Sequence, residues 1–337
     1  MLRDTYQRPL QDLRISVTDR CNFRCTYCMP LDEYEWIQKS EILTYEEIAR
    51  LARLFARLGA EKVRLTGGEP LVRKDLAELV AKLAVIDGIQ DICLTTNAAL
   101  LSEQAAPLRQ AGLRRINVSL DTLRPGRFQQ IAQRGSLDSV LNGLFAAKRE
   151  GFRPIKINAV IEKGVNDDEI LGLVEFGREH GFPVRFIEYM DVGNTNHWQS
   201  DRLVSKKEIL AIVASRFPLR EVGRAEGSAP AVDYASAGNG VDVGVIASVT
   251  EPFCGSCTRA RLTADGKLVT CLFSQEGHDL KKLLRGGASD EEILAEIRGI
   301  WQARRDRFSE ERWAALNSIE GYRPEQHKKI EMIRLGG

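Results

Sequence analysis

Three cysteines, Cys21, Cys25 and Cys28, stand in the run Cys-Asn-Phe-Arg-Cys-Thr-Tyr-Cys, separated by three and then two residues. Thiolates at such spacing hold the irons of 4Fe-4S clusters, which ordinarily take four of them. With three, one iron stays open to another ligand, and an open iron is a place for chemistry rather than for electron storage alone. Structural zinc wants four nitrogen or sulfur ligands, and neither a fourth Cys nor a His lies near this run. A second set, Cys254-Gly-Ser-Cys257 and then Cys271, again counts three. Taken alone it fits equally a zinc ribbon completed by His278 or another cluster. Beside the first motif, the cluster reading gains. Cys93, inside Ile92-Cys93-Leu94, reads as a small buried hydrophobe.

Positive charge sits where strands are expected. In Lys62-Val-Arg64-Leu-Thr66-Gly67-Gly68-Glu69-Pro70, an extended chain turns Lys62, Arg64 and Thr66 to one face. If that strand is buried on both sides, two cations on one face call for a polyanion; a solvated face is the alternative. Gly67-Gly68 lets backbone N–H groups approach a ligand. Thr95, Ser119 with Asp121, Lys156 with Asn158, and Arg185 with Met190 add polar groups around later strands, and Arg259-Ala-Arg261 puts two more cations on one face of a hairpin. Lys62, Arg64, Lys156, Arg185 and the Arg pair together suit a triphosphate-sized anion.

The elements that position these residues alternate. Strands are expected at Leu13–Thr18, Lys62–Thr66, Asp91–Thr95, Arg115–Leu120, Lys156–Ile161 and Val184–Met190, with helices at Tyr45–Leu58, Asp75–Val85, Ser102–Ala111, Ser139–Glu150 and Asp168–His180. Thr44 before Glu46-Glu47 and Ser102 before Glu103 read as helix starts, and Gly59, Gly112, Gly151 and Gly181 as C-caps. Six βα units predict an α/β fold with a parallel sheet, a partial barrel or a doubly wound one, whose strand ends gather functional residues. Cys28, Gly68, Thr95, Ser119, Lys156 and Met190 are expected at one mouth. Beyond Met190 the pattern loosens into a helix near Lys206–Phe217, a linker or surface loops over Gly223–Gly240, a hairpin from Arg259–Thr263 to Lys267–Leu272, and two closing helices near Leu280–Leu284 and Asp290–Arg305. This divides the chain into a core, 1–222, and an auxiliary region, 223–337.

The 337 residues are enough for one large domain or two smaller ones. Forty-eight Lys and Arg against 47 Asp and Glu leave no global field for nucleic acid or an anionic membrane, so any anion site is local. No apolar run approaches the ~18 residues of a spanning helix, and ligand-like cysteine spacing without a secretory segment points to a cytoplasmic, reducing setting.

The Cys21–Cys28 signature, with Tyr27 before its last Cys, resembles the radical S-adenosylmethionine (SAM) superfamily. Thr66-Gly-Gly-Glu-Pro70, Met190-Asp-Val-Gly-Asn194 and the run from Thr250 through Cys254-Gly-Ser-Cys257-Thr-Arg259-Ala-Arg261 to Gly266 narrow the resemblance, essentially end to end, to the GTP 3′,8-cyclases of molybdenum-cofactor biosynthesis. The resemblance implies a partial (β/α)6 TIM-like radical SAM barrel with a C-terminal extension carrying a second iron-sulfur cluster. It implies two 4Fe-4S clusters, on Cys21, Cys25 and Cys28 and on Cys254, Cys257 and Cys271. Tyr27, Gly68, Ser119 and Met190 would contact SAM, and Arg14, Lys62, Arg64, Thr95, Lys156, Arg185, Arg259 and Arg261 would bind GTP. The reaction would be a lyase-class cyclisation of GTP coupled to SAM cleavage, fed by a one-electron reductant, in a monomer or homodimer. Arg14 rests on the resemblance alone. So does the expectation that the Gly336-Gly337 tail enters the active site, where composition predicts a frayed end. Ala98 stands where the family often has Gly.

Two other classes compete with this reading. A peptide-modifying radical enzyme would want an N-terminal peptide-recognition segment and more late cysteines. A zinc-dependent nucleic-acid binder would want net positive charge and interleaved aromatics.

Overall fold

The alternating pattern of the sequence folds as expected in the computed structural model, which describes residues 1–29, 34–194, 196–236, 239–319 and 321–336. Strands β1 (Asp12–Ser16), β2 (Lys62–Thr66), β3 (Asp91–Thr96), β4 (Arg115–Ser119), β5 (Ile155–Ile161) and β6 (Val184–Glu188) follow one another in one sheet, each parallel to the next. Helices α1 (Tyr45–Arg57), α2 (Leu76–Ala84), α3 (Leu101–Gln110), α4 (Pro125–Ala132), α5 (Leu137–Arg149) and α6 (Ile170–His180) make the crossovers. The β4–β5 crossover holds two helices where one was expected, and Pro125 opens the extra one at N1, a position that needs no N–H.

Local chemistry sets the helix limits. The Thr44 hydroxyl accepts from Glu47 N at 3.1 Å while the Glu47 carboxylate accepts from Thr44 N at 2.7 Å, a complete capping box for α1. Ser102 starts no helix; it lies inside α3, which begins at Leu101 without a side-chain cap. Gly59, Gly112, Gly151 and Gly181 do end their helices, with φ from +73° to +113°.

The two faces of the sheet differ in kind. Leu13, Ile15, Leu65, Leu94, Ile116, Val118, Ile157 and Phe186 are all buried against the helices. The alternate residues, among them Arg14, Arg64, Thr95, Asn117, Asn158 and Arg185, turn to the opposite side, and all six of these line one cavity. A sheet whose first and sixth strands both line one cavity must curve. It is a partial barrel with an apolar outside and a polar inside.

The later chain extends this sheet at both edges. Residues 223–240, read from composition as a linker or loops, contain β8 (Val232–Ser236) and the start of β9 (Asn239–Ile246), preceded by β7 (Leu219–Gly223). β9 lies parallel to β6, and β8 and β7 follow antiparallel. The loop at 224–230 masked the strands beside it; farther along β9, Gly244 lies between Asp233 and Arg185, where a Cβ would come within 2.7 Å of the Asp233 carboxylate. On the other edge β10 (Arg259–Leu262) pairs parallel with β1, followed by β11 (Lys267–Val269) and β12 (His278–Asp279). Strands from both sides of residue 223 thus share one sheet.

Helix α7 (Lys206–Ala214) carries a second capping box, Ser205 with Glu208. After α8 (Leu280–Arg285) and α9 (Asp290–Gln302), two further helices were not anticipated, α10 (Phe308–Leu316) and α11 (Met332–Leu335). They are tied to the end of β6 by a buried charge knot. Asp191 pairs with Arg312, accepts from Lys329 Nζ at 2.5 Å and accepts from the Tyr322 hydroxyl, all under a stacked Phe273–Phe308 pair at 4.5 Å. Arg312 also donates to the Ser248 carbonyl at 2.6 Å. The tail so anchored runs inward, and Gly336 O accepts from Arg261 at 2.8 Å. Gly337 lies outside the described residues.

Burial alone would raise the Asp191 pKa, but Arg312 and Lys329 outweigh it and hold the carboxyl below its ordinary value. Its stabilisation is therefore present at neutral pH and lost as pH falls through that depressed pKa. Asp191→Asn leaves two buried cations short of a counter-charge and is expected to lower urea stability by ~3–5 kcal/mol at pH 7. The gap between wild type and variant should close in acid; a gap independent of pH would refute the charge-knot account.

Candidate active site

The first cysteine run follows β1 and is shaped by the glycine loop after β2. Gly68 N donates to Thr18 O and Glu69 N to Arg20 O, both at 2.8 Å. The Glu69 carboxylate then accepts from the Thr96 hydroxyl and Asn97 N, each at 2.7 Å, and from Leu71 N at 3.0 Å. The Glu69 backbone thereby holds the cysteine loop, while its buried carboxylate fastens the end of β3 to the loop after β2. Burial pushes its pKa up to about 7, against those hydrogen bonds. Ala98, next along, holds φ +62°, which glycine adopts freely and which costs another L-residue ~1–2 kcal/mol. The loop's far side rests on α4: Thr26 N donates to Ile131 O at 3.0 Å, and Phe23 meets Phe128 edge-on at 5.5 Å.

Within the run, Cys28 N donates to Cys25 O at 3.0 Å in a tight turn, and all three cysteines line the same cavity. Burial pushes the Cys21 thiol up to about 11 and Cys28 up to about 12, and raises Cys25 as well, with the neighbouring thiols adding to the last two. Buried thiols of this kind ionise when bound metal supplies positive charge, which is the chemistry of an iron–sulfur cluster. Tyr27 donates from its hydroxyl to Asp121 at 2.7 Å, and the other Asp121 oxygen accepts from Val160 N at 2.8 Å.

Across the cavity the cations are aligned by strand register. Arg261 on β10, Arg14 on β1 and Arg64 on β2 are direct neighbours on one rung, about 4.8 Å apart from strand to strand. Arg14, for which strand-end reasoning found no role, is the middle member. Its pKa is lowered by burial and by the charges of Arg261, Arg64 and Arg259, and Arg261 comes down to about 10 for similar reasons. Arg64 Nη1 donates to Thr95 Oγ1 at 3.1 Å and Arg259 Nη1 to Ser228 O at 2.9 Å. Arg185 Nε and Asn158 Oδ1 are buried without a protein partner. The cations of this set prefer an anionic ligand, while the Asn158 oxygen calls for a donor.

The second cysteine set closes the cavity beside β10. Glu188, fully buried at the end of β6, accepts from Val249 N at 2.8 Å and Thr250 N at 2.9 Å, which fixes the loop leading to Cys254. Burial opposes ionisation of Cys257, but Arg259 and Arg304 prevail and bring it down to about 6; Cys271 goes up to about 12, chiefly by burial. His278, weighed as a zinc ligand, is exposed on β12 and outside the cavity lining.

One cavity of about 310 Å³ therefore receives both cysteine sets together with Tyr27, Gly68, Ser119, Met190, Arg14, Arg64, Thr95, Arg185, Arg259 and Arg261. Lys62 and Lys156 are not in its lining. Lys62 opens β2, at the end opposite the glycine loop, and is paired with Glu226. Lys156 is the second residue of β5 rather than at the mouth, and burial and the Arg185 charge pull its amine down to about 8. Arg8 and Arg304 line the cavity without having been anticipated; they sit in no strand and beside no cysteine in sequence, so no local signal marks them.

This architecture, a curved parallel sheet with three thiols at its mouth, defines a radical SAM protein, a class that works with a 4Fe-4S cluster and SAM. The family profile described as Radical SAM superfamily matches residues 15–177, and that described as Molybdenum Cofactor Synthesis C matches residues 182–310. Within the class, the chain belongs to the GTP 3′,8-cyclase family. It is 46% identical to the GTP 3′,8-cyclase of Acidothermus cellulolyticus over 361 residues, covering 100% of this chain and 99% of that protein. It is 44% identical to the enzymes of the same name from Staphylococcus epidermidis and Staphylococcus aureus, with the same coverage. The crystal structure of Streptococcus suis SuiB bound to precursor peptide SuiA shares the fold, with TM-score 0.63 and 17% identity over 97% of this chain and 76% of that one. Among the described residues no helix is long and apolar enough to cross a membrane.

A Cβ on Gly68 would lie 2.4 Å from Arg20 O and 2.7 Å from Asp19 O, so the glycine loop and cysteine loop touch through backbone alone. Gly68→Ala is expected to force them apart at ~1–3 kcal/mol of stability. Urea unfolding measures this; a variant as stable as wild type would show the contact to be looser than described.

Proposed function

We propose that SAM binds at the Cys21–Cys28 end of the cavity and GTP between it and the second cysteine set. The chain would then convert GTP to (8S)-3′,8-cyclo-7,8-dihydroguanosine 5′-triphosphate with cleavage of SAM to methionine and 5′-deoxyadenosine, the first step of molybdopterin synthesis. The observation that carries this reading is the rung Arg261–Arg14–Arg64, because three inward guanidiniums on adjacent strands repel one another and a polyanion relieves that repulsion.

Cys21, Cys25 and Cys28 would hold the first cluster, with Tyr27, Gly68, Ser119 and Met190 around SAM. When bound, that cluster and SAM supply the one-electron cleavage chemistry that removes a hydrogen from C3′ of the ribose. Asp121 holds Tyr27 in place, and the apolar wall of Val160, Ile187, Met190 and Met332 keeps water from the reacting carbon. Arg14, Arg64, Arg259 and Arg261 grip the triphosphate, with Thr95, Lys62, Lys156 and Arg185 completing the site. Two of these arginines now donate to the carbonyls of Ser228 and Gly336, oxygens that phosphate oxygens would join or replace. Cys254, Cys257 and Cys271 suit a second 4Fe-4S cluster better than zinc: among the described residues His278 is exposed away from them, and Arg8 Nη2, buried beside them, lacks an acceptor. A one-electron reductant in the cytoplasm would feed the reaction.

Replacing Arg259 and Arg261 together with Ala removes two charge-assisted contacts of ~1.5–3 kcal/mol each, so GTP affinity by calorimetry should fall at least ~tenfold. Uncoupled SAM cleavage should survive. Normal GTP binding by the double variant would sink the assignment of the rung to the triphosphate.

Lys156 yields a pH test. In the free enzyme burial and the Arg185 charge bring its amine down to about 8, and bound phosphate would stabilise the ammonium, raising its pKa in the complex. The complex then keeps a proton that the free enzyme has lost, and GTP affinity falls as pH rises from ~7 to ~9, by up to ~tenfold. Lys156→Arg, charged throughout, should flatten the profile; equal slopes in both proteins would remove Lys156 from the site.

A further inference from the structure

Two buried arginines back the second cysteine set. Arg304, just past α9, donates from Nη2 to the Cys257 sulfur at 3.2 Å and from Nη1 to the Cys257 carbonyl at 2.8 Å. Arg8, in the N-terminal segment, donates from Nη1 to the carbonyls of Cys254 at 2.9 Å and Asp306 at 2.8 Å. Each side chain is only 1% exposed.

Their remaining nitrogens are held from behind. Asp4 accepts from Arg8 Nε at 2.6 Å and lies 3.6 Å from Arg304 Nη1, while Asp306 accepts from Arg304 Nε at 3.2 Å. Two carboxylates thus balance two guanidiniums, and the group carries little net charge. What it carries is direction. The Arg304 Nη2 donor is committed to a cysteine sulfur, and Arg8 Nη2 is buried without an acceptor although Arg8 lines the cavity. Trp301 stops both from swinging away: its ring lies 4.6 Å beneath the Arg304 guanidinium, and its Nε1 donates to the Arg8 carbonyl at 3.2 Å. The Thr5 hydroxyl adds a 2.7 Å bond to the Arg304 carbonyl.

From this geometry we infer that Arg304 and Arg8 position and tune the second cluster, Arg304 through an N–H···S bond to the Cys257 thiolate and Arg8 through a donor to the cluster's own sulfur, and that they raise its reduction potential. The inference rests on the two-cluster reading. Reduction places more negative charge on cluster and thiolates, so a donor fixed on sulfur stabilises the reduced form more than the oxidised one. These donors are dry and preset, so they act at full strength in a low-dielectric setting. The first cysteine set is bonded differently: there the Cys21 sulfur accepts a backbone N–H, from Phe23 at 3.4 Å. The Arg304 and Arg8 donors therefore act on the second cluster, whose potential can be changed without altering the bonds of the first.

The test is an EPR-monitored redox titration of anaerobically reconstituted enzyme as wild type, R304K and R304Q, with iron analysis alongside. Added SAM perturbs the N-terminal cluster's signal and so tells the two apart. The expected result is about eight irons per chain, a second-cluster midpoint that moves negative in R304Q and less so in R304K, and an unchanged N-terminal midpoint. R8K is expected to move the same midpoint negative. Unchanged second-cluster midpoints in both Arg304 variants with full iron would overturn the inference, as would equal shifts at both clusters, the mark of a general disturbance. Loss of four irons from R304Q alone would support the positioning role, and the R304K midpoint would then decide the tuning. Four irons in the wild type would overturn the two-cluster reading itself, and this inference with it.

Discussion

Like charge held inward is the constraint around which this molecule is organised. Arg261, Arg14 and Arg64 share one rung, and Arg259 and Lys62 flank Asp12 on the rung before it. Two unit charges ~5 Å apart repel by several kcal/mol at the effective dielectric of a protein near its surface. The fold bears that repulsion because the other face of the same strands is wholly apolar and packed under the helices, and because every inward guanidinium with a known partner has found an oxygen: Thr95 for Arg64, Ser228 for Arg259, Gly336 for Arg261. A polyanionic substrate supplies such oxygens more strongly. On the proposed reading, the site is preorganised for a polyanionic ligand at the expense of its own stability.

The same logic explains why both chain ends come to the cavity. Asp4 and Arg8 reach the second cysteine loop from the N-terminus, and Arg304 and Asp306 meet them after α9. Asp191, one residue past the cavity-lining Met190, gathers Arg312, Tyr322 and Lys329 and so turns the last segment inward. Buried ion groups of this kind add little net stability against apolar packing of the same volume, but they are intolerant of register errors. They fix where the tail and the second cysteine loop stand.

Much of this was legible in the chain itself. The cysteine spacings named the chemistry, because thiolate geometry around iron depends on local sequence distance. The period-two and helical patterns named the six parallel strands, and Thr44 and the four C-capping glycines marked helix limits, since capping is a matter of a few neighbouring residues. Alternation within β2 and β10 put Arg64 and Arg261 on inward faces.

What the tertiary structure alone decided was adjacency. Arg14 became intelligible only when β1 was found between β2 and β10, because a strand's sequence states which residues share a face but not which strand lies beside it. The strands within 223–246 escaped composition, since the loop that Gly, Ala and Ser do form at 224–230 masked the strands beside it, while Gly244 serves close packing. Lys62 and Lys156 lie outside the cavity lining although they share rungs with Arg259 and Asn117, which line it. Arg8 and Arg304, nearly three hundred residues apart, meet only in the folded chain. Chemistry that depends on bonds within a few residues is written in the sequence; chemistry that depends on distant side chains sharing one dry space is decided by the fold.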